Sequence, residues 1–339
     1  MPAGRREKHA AKPSTFGKPE MKIAGGTVRI AAADFGSYRY SCLFREFAMF
    51  KGSIVALITP FRGGAVDEQA FQDFVDWQIG QGTHGLVPCG TTGESPVLDH
   101  AEHLRVIRLC VEAAQRRVPV IAGTGSYSTA AAIAFTREAK AAGADAALVV
   151  CPYYNRPTQE GLYQHFKAIN DAVELPIIIY NIPIRTAVDM SIATMARLAK
   201  LANIVGVKDA TNDLARPLRT RQAIGSVFCQ LSGEDVTALA FNAQGGVGCI
   251  SVTANVAPRA CADMQEAWAK GDVARAQRIN DRLAPLHDAL FSETSPAPVK
   301  YGVSLLGKST PEVRLPLVAA SAEAQERMRQ AMRGAGVLN

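Results

Sequence analysis

From residue 53 onward, short apolar runs rich in β-branched residues alternate with segments whose apolar positions recur at the period of an α-helix. This unit occurs eight times. Runs that are apolar on both faces are typical of parallel strands covered by helices. The pattern therefore predicts eight buried strands, at residues 53–59, 85–89, 118–123, 146–151, 176–181, 204–208, 227–231 and 246–252.

Signals at the predicted helix ends support the same division of the chain. Asp99 followed by Glu102 is a capping-box pattern at the start of a helix. Gly143 stands where a glycine that ends a helix is expected. The segments between the apolar runs are therefore predicted to be helices.

Eight β/α units over roughly 200 residues predict an α/β fold, the (β/α)8 TIM barrel, in which catalytic groups lie at the carboxyl ends of the strands. A doubly wound open sheet is the main alternative. That fold is expected to carry a dinucleotide fingerprint or a P-loop after its first strand. Residues 59–64, Thr-Pro-Phe-Arg-Gly-Gly, match neither pattern, which favours the barrel.

The pattern also divides the chain into regions. Helical periodicity after the eighth strand, at residues 264–268, 274–286 and 322–332, predicts a C-terminal helical appendage, for which oligomer contacts are one hypothesis. Met49 directly precedes the first strand and is the expected start, with an Arg-rich targeting segment upstream as the alternative. We expect a flexible N-terminal extension at 1–48, the barrel at 49–271 and the helical region at 272–339.

Charge and composition narrow the function classes. The chain is 48% hydrophobic, which suits a globular enzyme. Of the net charge of +6, residues 1–48 supply most, with nine Lys or Arg against four Asp or Glu, so the remainder carries only +1. The barrel has no basic excess to bind nucleic acid. No apolar stretch in the extension is long enough for a secretory signal or a membrane span.

The cysteines and histidines offer no metal site. The seven cysteines lack CxxC pairs and Cys/His ligand spacing, and their odd number and apolar settings predict reduced, packed thiols in a cytoplasmic protein. His100 and His103 lie three residues apart but lack a third ligand. We therefore expect no metal or other cofactor.

Lys208 ends the sixth run, so its amine is expected at the mouth of the barrel. An amine between apolar walls loses solvation of its charged form, and its neutral fraction can attack a carbonyl group. With strict alternation, Ile204 and Gly206 share the lysine's side of the strand, Val205 takes the other side, and Gly206 leaves space beneath the lysine. The alternative is a solvated lysine that caps a strand.

Polar residues at neighbouring strand ends favour the reactive lysine over the solvated one. Tyr180 ends the fifth run, and a tyrosine hydroxyl can carry the protons that imine chemistry requires. Gly90 and Gly93 flank Thr91 and Thr92 in a turn whose backbone N–H groups can bind a carboxylate. Each feature alone fits packing or a simple turn. Together, at consecutive strand ends, they favour a Schiff-base site.

Five blocks in order along the chain resemble the dihydrodipicolinate synthase and N-acetylneuraminate lyase family of class I aldolases. They are Gly-Thr-Thr-Gly-Glu-Ser at 90–95, Pro-Tyr-Tyr-Asn-Arg-Pro at 152–157, Tyr-Asn-Ile-Pro-Ile-Arg-Thr at 180–186, Val-Lys-Asp-Ala-Thr at 207–211 and Ile-Ser-Val-Thr-Ala-Asn at 250–255. The resemblance covers residues 49–338.

The resemblance implies the chemical roles of four residues. Lys208 forms an imine with pyruvate, and Tyr180 donates and accepts the protons. Thr91 links Tyr180 to Tyr154, which an adjacent subunit supplies. Such a shared tyrosine implies an oligomer, for which we expect a homotetramer built as a dimer of dimers.

The resemblance also implies how substrates are held. Thr92 binds the pyruvate carboxylate, and Gly233 and the backbone of Ile250 line the same site. Arg185 pairs with the carboxylate of the second substrate, for which a bidentate guanidinium has suitable geometry. The implied reaction joins pyruvate to L-aspartate 4-semialdehyde, giving 4-hydroxy-tetrahydrodipicolinate in the diaminopimelate route to lysine, without a cofactor.

Alternatives remain at this point. One is a related aldolase or lyase that acts on sialic acid or a 2-keto-3-deoxy sugar acid. Another is a non-catalytic barrel that binds a keto acid or a protein partner. Gly245, Gly246 and Gly248, near the eighth strand, fit either a phosphate cradle or close packing of the barrel.

Lysine inhibition is expected to be weak or absent. Feedback-inhibited members of the family bind lysine near the positions of His100, His103 and Tyr153. Tyr127 stands where such members commonly have Asn, and Ala131 where a Glu pairs with the lysine ammonium. Loss of one charge-assisted hydrogen bond, worth roughly 1.5–3 kcal/mol, weakens binding about tenfold to a hundredfold.

Overall fold

The computed structural model describes residues 50–339 and two short antiparallel strands, Lys22–Ile23 and Gly26–Thr27. The other residues of the predicted flexible extension, and the expected start at Met49, lie outside the described residues.

Eight parallel strands form a closed ring. Their order is β2-β1-β8-β7-β6-β5-β4-β3, and a parallel bridge between Leu86 and Val120 joins β2 to β3. The (β/α)8 TIM barrel is confirmed, since every strand overlaps one predicted run. The strands are β1 (Gly52–Ala56), β2 (Gly85–Val87), β3 (Ile121–Gly123), β4 (Ala146–Val150), β5 (Ile177–Asn181), β6 (Ile204–Asp209), β7 (Cys229–Ser232) and β8 (Gly248–Ser251).

The strands are apolar on both sides because each side is buried. In β5, Ile177 and Ile179 pack outward against the helices, while Ile178 and Tyr180 belong to the cluster inside the barrel. All five residues of β5 are buried. This alternation directs Tyr180 into the interior at the carboxyl end of its strand.

Strict alternation in β6 was a wrong expectation. The pairing of β6 with β5 shifts register between Ile204 and Gly206. Ile204 consequently packs with the outer cluster and Val205 with the inner one. A bulge inserts an extra residue and resets which side the following side chains face. Lys208, opposite Tyr180, still faces the interior.

Helices cover the ring and extend beyond it. The Asp99–Glu102 capping box is present, and Gly143 ends its helix in the left-handed conformation, as predicted. The helices are α1 (Glu68–Gly80), α2 (His100–Ala114), α3 (Thr129–Ala142), α4 (Gln159–Ala172), α5 (Ile192–Leu198), α6 (Arg216–Ile224), α7 (Ala238–Ala243), α8 (Pro258–Ala269), α9 (Val273–Leu290), α10 (Ala297–Leu305) and α11 (Ala322–Gly334), with a one-turn helix at Pro183–Thr186 and 3-10 turns at Ser95–Val97 and Thr253–Asn255.

The helices α9, α10 and α11 form the predicted C-terminal appendage. The patterns at residues 274–286 and 322–332 correspond to α9 and α11, but no pattern indicated α10. A hairpin, Phe61–Arg62 with Ala65–Val66, follows β1. The Lys300 side chain of α10 lies against the Phe61 ring of this hairpin.

The state of the cysteines and the length of the helices can be read directly from residues 50–339. The six cysteines among residues 50–339 are buried and free, as predicted, while Cys42 lies outside the described residues. Over the same residues, no helix combines the length and apolarity needed to cross a membrane.

Candidate active site

Lys208 and Tyr180 meet inside the barrel, at the carboxyl ends of β6 and β5. Lys208 is only 5% exposed, and its Nζ lies 4.1 Å from the centroid of the Tyr180 ring. Within residues 50–339, Nζ takes part in no ion pair, although Asp209 beside it and the distant Lys300 both do. The solvated-lysine alternative does not fit this burial. An amine without a carboxylate partner is available for attack on a carbonyl group.

A glycine leaves room for the lysine, but it is Gly233 and not Gly206. A Cβ atom on Gly233 would lie 3.2 Å from Lys208 Cε and 2.7 Å from the Ala210 side chain. A Cβ atom on Gly206 would instead lie 2.5 Å from the Cys229 carbonyl oxygen. Gly206 therefore allows β6 and β7 to approach each other, which corrects the expectation of space beneath the lysine.

The carboxyl end of β6 is held by a buried ion pair next to Lys208. Arg216 Nε lies 2.9 Å from Asp209 Oδ2, and both side chains are less than one-tenth exposed. Burial raises the pKa of Asp209, while hydrogen bonds from Thr211 and the charge of Arg216 oppose that rise. The carboxylate nearest to Lys208 in sequence is therefore paired with Arg216, and not with the lysine amine.

The turn at residues 90–94 follows β2 and presents backbone donors. Gly93 N–H donates to the Gly90 carbonyl and Glu94 N–H to the Thr91 carbonyl, each at 3.1 Å. Within residues 50–339, the N–H groups of Thr91 and Thr92 donate to no acceptor, and Thr92 is only 4% exposed. Two adjacent free N–H groups beside a buried hydroxyl suit the binding of a carboxylate.

A cavity of about 380 Å³ lies beside this turn. Thr91 and Arg185 both line it, together with Ile182, which also belongs to the inner cluster that contains Tyr180 and Ile250. Arg185 is exposed on the one-turn helix after β5. The cavity thus joins the predicted second-carboxylate residue to the predicted pyruvate turn.

The proton relay is not formed within residues 50–339 of a single chain. Neither the Thr91 hydroxyl nor the Tyr180 hydroxyl makes a hydrogen bond to another described group. Tyr154 is 93% exposed and has a left-handed φ of +66° in the loop after β4. Its contribution to another subunit's site therefore stays a prediction.

Two acidic residues after β7 belong to the site, although no motif had singled them out. Burial raises the pKa of Glu234, while the charges of Lys208 and Arg185 oppose that rise. Asp235 Oδ2 accepts hydrogen bonds from Val252 N–H at 2.8 Å and Thr253 N–H at 3.1 Å. Asp235 thereby fixes the chain just after Ile250. Their position immediately after Gly233, at a strand's carboxyl end, was the available signal.

Two of the residues considered for lysine binding line the same cavity. His103 and Tyr153 line it, and Tyr127 contacts Tyr153 edge-on with ring centroids 5.5 Å apart. His100 lies 2.9 Å from Glu138, and no group of three His, Cys, Asp or Glu side chains among residues 50–339 is arranged to hold a metal ion. Weak lysine inhibition stays a prediction.

The glycines near β8 support packing rather than a phosphate cradle. A Cβ atom on Gly248 would lie 2.3 Å from the Gly52 carbonyl oxygen, and one on Gly246 would lie 2.3 Å from the Phe241 ring. Gly248 begins its strand, so it lies at the end of the barrel opposite to Lys208. These glycines bring β8 close to its neighbours.

Comparisons with known proteins agree with this geometry. Residues 49–335 match the model of the dihydrodipicolinate synthetase family. A protein of Rhodospirillum centenum, named 4-hydroxy-tetrahydrodipicolinate synthase, is 70% identical over 290 residues, which cover 86% of this chain and 100% of the relative.

Solved structures show the same likeness. Dihydrodipicolinate synthase from Aquifex aeolicus is 45% identical with a TM-score of 0.83, covering 85% of this chain and 99% of the other. The chloride-inhibited dihydrodipicolinate synthase from Acinetobacter baumannii, complexed with pyruvate, is 46% identical with a TM-score of 0.83 and the same coverage. The sugar-acid alternative is not favoured by these matches. The chain belongs to the dihydrodipicolinate synthetase family.

Proposed function

We propose that this chain is a lyase of the class I aldolase type that condenses pyruvate with L-aspartate 4-semialdehyde to give 4-hydroxy-tetrahydrodipicolinate. The observation that carries the proposal is the unpaired, buried Lys208 against Tyr180 at the barrel mouth. The names of its relatives support the choice of reaction. The product belongs to the diaminopimelate route to lysine.

Lys208 begins the reaction by attacking the carbonyl carbon of pyruvate. Loss of water gives a protonated imine, which withdraws electrons so that a proton can leave the pyruvate methyl group. Tyr180 moves these protons, and Thr91 links it to Tyr154 of an adjacent subunit. The free N–H groups and hydroxyl of the Thr91–Thr92 pair hold the pyruvate carboxylate.

The resulting enamine carbon then attacks the aldehyde carbon of the second substrate. Arg185, exposed at the cavity, pairs with that substrate's carboxylate. The amine of the adduct attacks the imine carbon, closes the ring and releases Lys208. Gly233 and the backbone at Ile250 border the pyruvate site, the former because it leaves room for the lysine stem.

We also propose a cytoplasmic homotetramer, a dimer of dimers. The exposed Tyr154 supports an interface at the loop after β4, because an aromatic side chain exposed to this extent gains burial in a partner. Buried free thiols support a reducing compartment.

The test is a pair of steady-state assays with purified protein, one with pyruvate and aspartate 4-semialdehyde and one with N-acetylneuraminate alone. Consumption of aspartate 4-semialdehyde, with formation of the cyclic product, is expected. N-acetylneuraminate, supplied as a substrate for cleavage, is expected to give no pyruvate. Cleavage of N-acetylneuraminate without condensation of the semialdehyde contradicts the proposal.

A further inference from the structure

Glu94 is the last residue of the turn at residues 90–94, called the pyruvate turn here. Two residues of the C-terminal region bind its carboxylate. Its Oε1 accepts a hydrogen bond of 2.6 Å from Lys300 Nζ on α10. Its Oε2 accepts one of 3.0 Å from Arg314 N–H, in the segment between α10 and α11. The Glu94 and Lys300 side chains have no exposed surface. Both carboxylate oxygens are thus satisfied by residues more than 200 positions away.

Besides its internal hydrogen bonds, the turn is held from outside at Gly93 and at Glu94. Glu94 has a left-handed φ of +55°, which is unfavourable for a residue with a side chain. The turn is anchored to the barrel on its other side, where Thr59 Oγ donates to the Gly93 carbonyl at 2.7 Å. Glu94 is therefore the point at which the C-terminal region holds this strained conformation.

The segment that carries Arg314 is itself fixed on the barrel. The Arg314 guanidinium donates to both Glu102 carboxylate oxygens at 2.6 Å, at the start of α2. Glu312 accepts hydrogen bonds from the N–H groups of Gly63 at 2.9 Å and Gly64 at 2.6 Å, in the hairpin after β1. The segment thus connects the hairpin, the pyruvate turn and α2.

Lys300 is held by more than its charge partner. Its Nζ lies 3.9 Å from the centroid of the Phe61 ring, and the Arg314 guanidinium lies 4.3 Å from the same ring. The amine consequently has one short bond, to Glu94, and an aromatic wall behind it. Movement of Glu94 without Lys300 would leave a buried charge unpaired, which is costly.

We propose that Lys300 and the 310–314 segment position the pyruvate turn through Glu94, so that the C-terminal helical region sets the barrel's affinity for pyruvate. The inference rests on the function proposed above, in which Thr91 and Thr92 hold the pyruvate carboxylate. Lys300 and Glu94 are positioning residues, since neither touches the substrate. Their loss displaces backbone donors that act on pyruvate and leaves Arg185, which acts on the aldehyde, in place.

The test compares Lys300→Met with the double variant Lys300→Met, Glu94→Gln. The single variant leaves the buried Glu94 carboxylate without its cationic partner and can unfold for that reason. The double variant removes both charges, so it tests the positioning role even if the single variant unfolds. We expect the KM for pyruvate to rise about tenfold in both variants, with the KM for aspartate 4-semialdehyde changed by less than about twofold. The thermal midpoint is expected to recover in the double variant while the pyruvate KM does not.

The matched control is Met328→Ala, a cavity in the same helical region. Met328 is fully buried on α11, and its Cε would lie 2.8 Å from a Cβ atom on Gly302 of α10. This variant is expected to lower the thermal midpoint and leave the pyruvate KM unchanged. A folded double variant with the wild-type pyruvate KM contradicts the positioning role alone. A wild-type protein that forms no borohydride-reducible pyruvate adduct contradicts the proposed function instead.

Discussion

Two lysines are buried among residues 50–339, and their surroundings differ. Lys300 is fully buried, with a carboxylate 2.6 Å from its Nζ. Lys208 is 5% exposed and has the face of the Tyr180 ring nearby, with no ion pair to any residue in the range 50–339. Burial lowers the pKa of Lys300 to about 8, although Glu94 opposes the fall.

Burial alone therefore does not identify a nucleophile. A carboxylate partner engages the amine of Lys300 in a short hydrogen bond and fixes it as a structural cation. Next to Lys208 the nearest carboxylate in sequence, Asp209, is engaged by Arg216. Lys208 is distinguished by the absence of an ion pair among residues 50–339, and not by the depth of its burial.

The largest expected effect follows removal of the reactive amine. Lys208→Met keeps a stem of similar length against Tyr180 but cannot form an imine, so we expect condensation to fall by about 10⁴-fold or more. The thermal midpoint should change little, because Lys208 makes no ion pair among residues 50–339 and its charge acts on Glu234 only beyond salt-bridge distance. Steady-state assays and thermal unfolding measure the two effects. Appreciable activity in this variant would contradict the proposal that Lys208, unlike Lys300, is the nucleophile.

The same substitution at the other lysine should give the opposite result. Lys300→Met leaves the buried Glu94 without its partner, and we expect the free energy of unfolding to fall by about 3–5 kcal/mol. Addition of Glu94→Gln should restore most of that loss. Denaturant unfolding curves of wild type, single and double variants measure it. A single variant as stable as wild type would show that the pair has no structural role.

Buried histidines provide a third case, a basic group without an anionic partner. His165 is 5% exposed, its Nδ1 bonds Thr129 Oγ1 at 2.9 Å, and burial lowers its pKa to about 4. In the unfolded chain this histidine binds a proton near pH 6.5. Its contribution to the free energy of unfolding is therefore complete above that pH and is lost as the pH falls towards 4.

This histidine should cost about 2–3 kcal/mol of stability across that window. His165→Gln keeps a polar group for Thr129 but cannot be protonated, so its loss of stability between pH 6.5 and 4 should be smaller by that amount. Urea unfolding at several pH values measures the slope. Identical slopes for variant and wild type would contradict the assignment.

The smallest expected effect concerns the second substrate. Arg185→Lys keeps the charge but loses the bidentate fork, so the KM for aspartate 4-semialdehyde should rise about tenfold. The pyruvate KM and the Lys208 adduct should not change. A rise confined to the pyruvate KM would show that Arg185 acts on pyruvate and not on the second substrate, which would contradict its proposed role.

Sequence patterns were sufficient for the parts of the fold that repeat locally. The eight apolar runs predicted eight strands, and the Asp99–Glu102 pattern predicted a capping box, because these signals depend on residues close in sequence. The helix α10 escaped prediction because its sequence, Ala-Pro-Val-Lys-Tyr-Gly-Val-Ser-Leu, contains Pro, Gly and a buried lysine, which obscure a helical stripe.

The site residues at strand ends could be predicted from the sequence. The contacts between segments that are far apart in the sequence could not. Lys208 and Tyr180 end adjacent runs, so their proximity follows from the barrel. The space beside Lys208 depends on Gly233 of the next strand's loop, and the bulge in β6 depends on its pairing with β5. No local pattern could pair Glu94 with Lys300, since the two residues lie 206 positions apart.

The central claim is that Lys208, and not Lys300, forms the imine with pyruvate. The direct measurement is peptide mass spectrometry after incubation with pyruvate and reduction with borohydride, with both lysine-containing peptides quantified. A reduced pyruvate adduct is expected on Lys208 and none on Lys300. An unmodified Lys208, or an adduct on Lys300 instead, would contradict it.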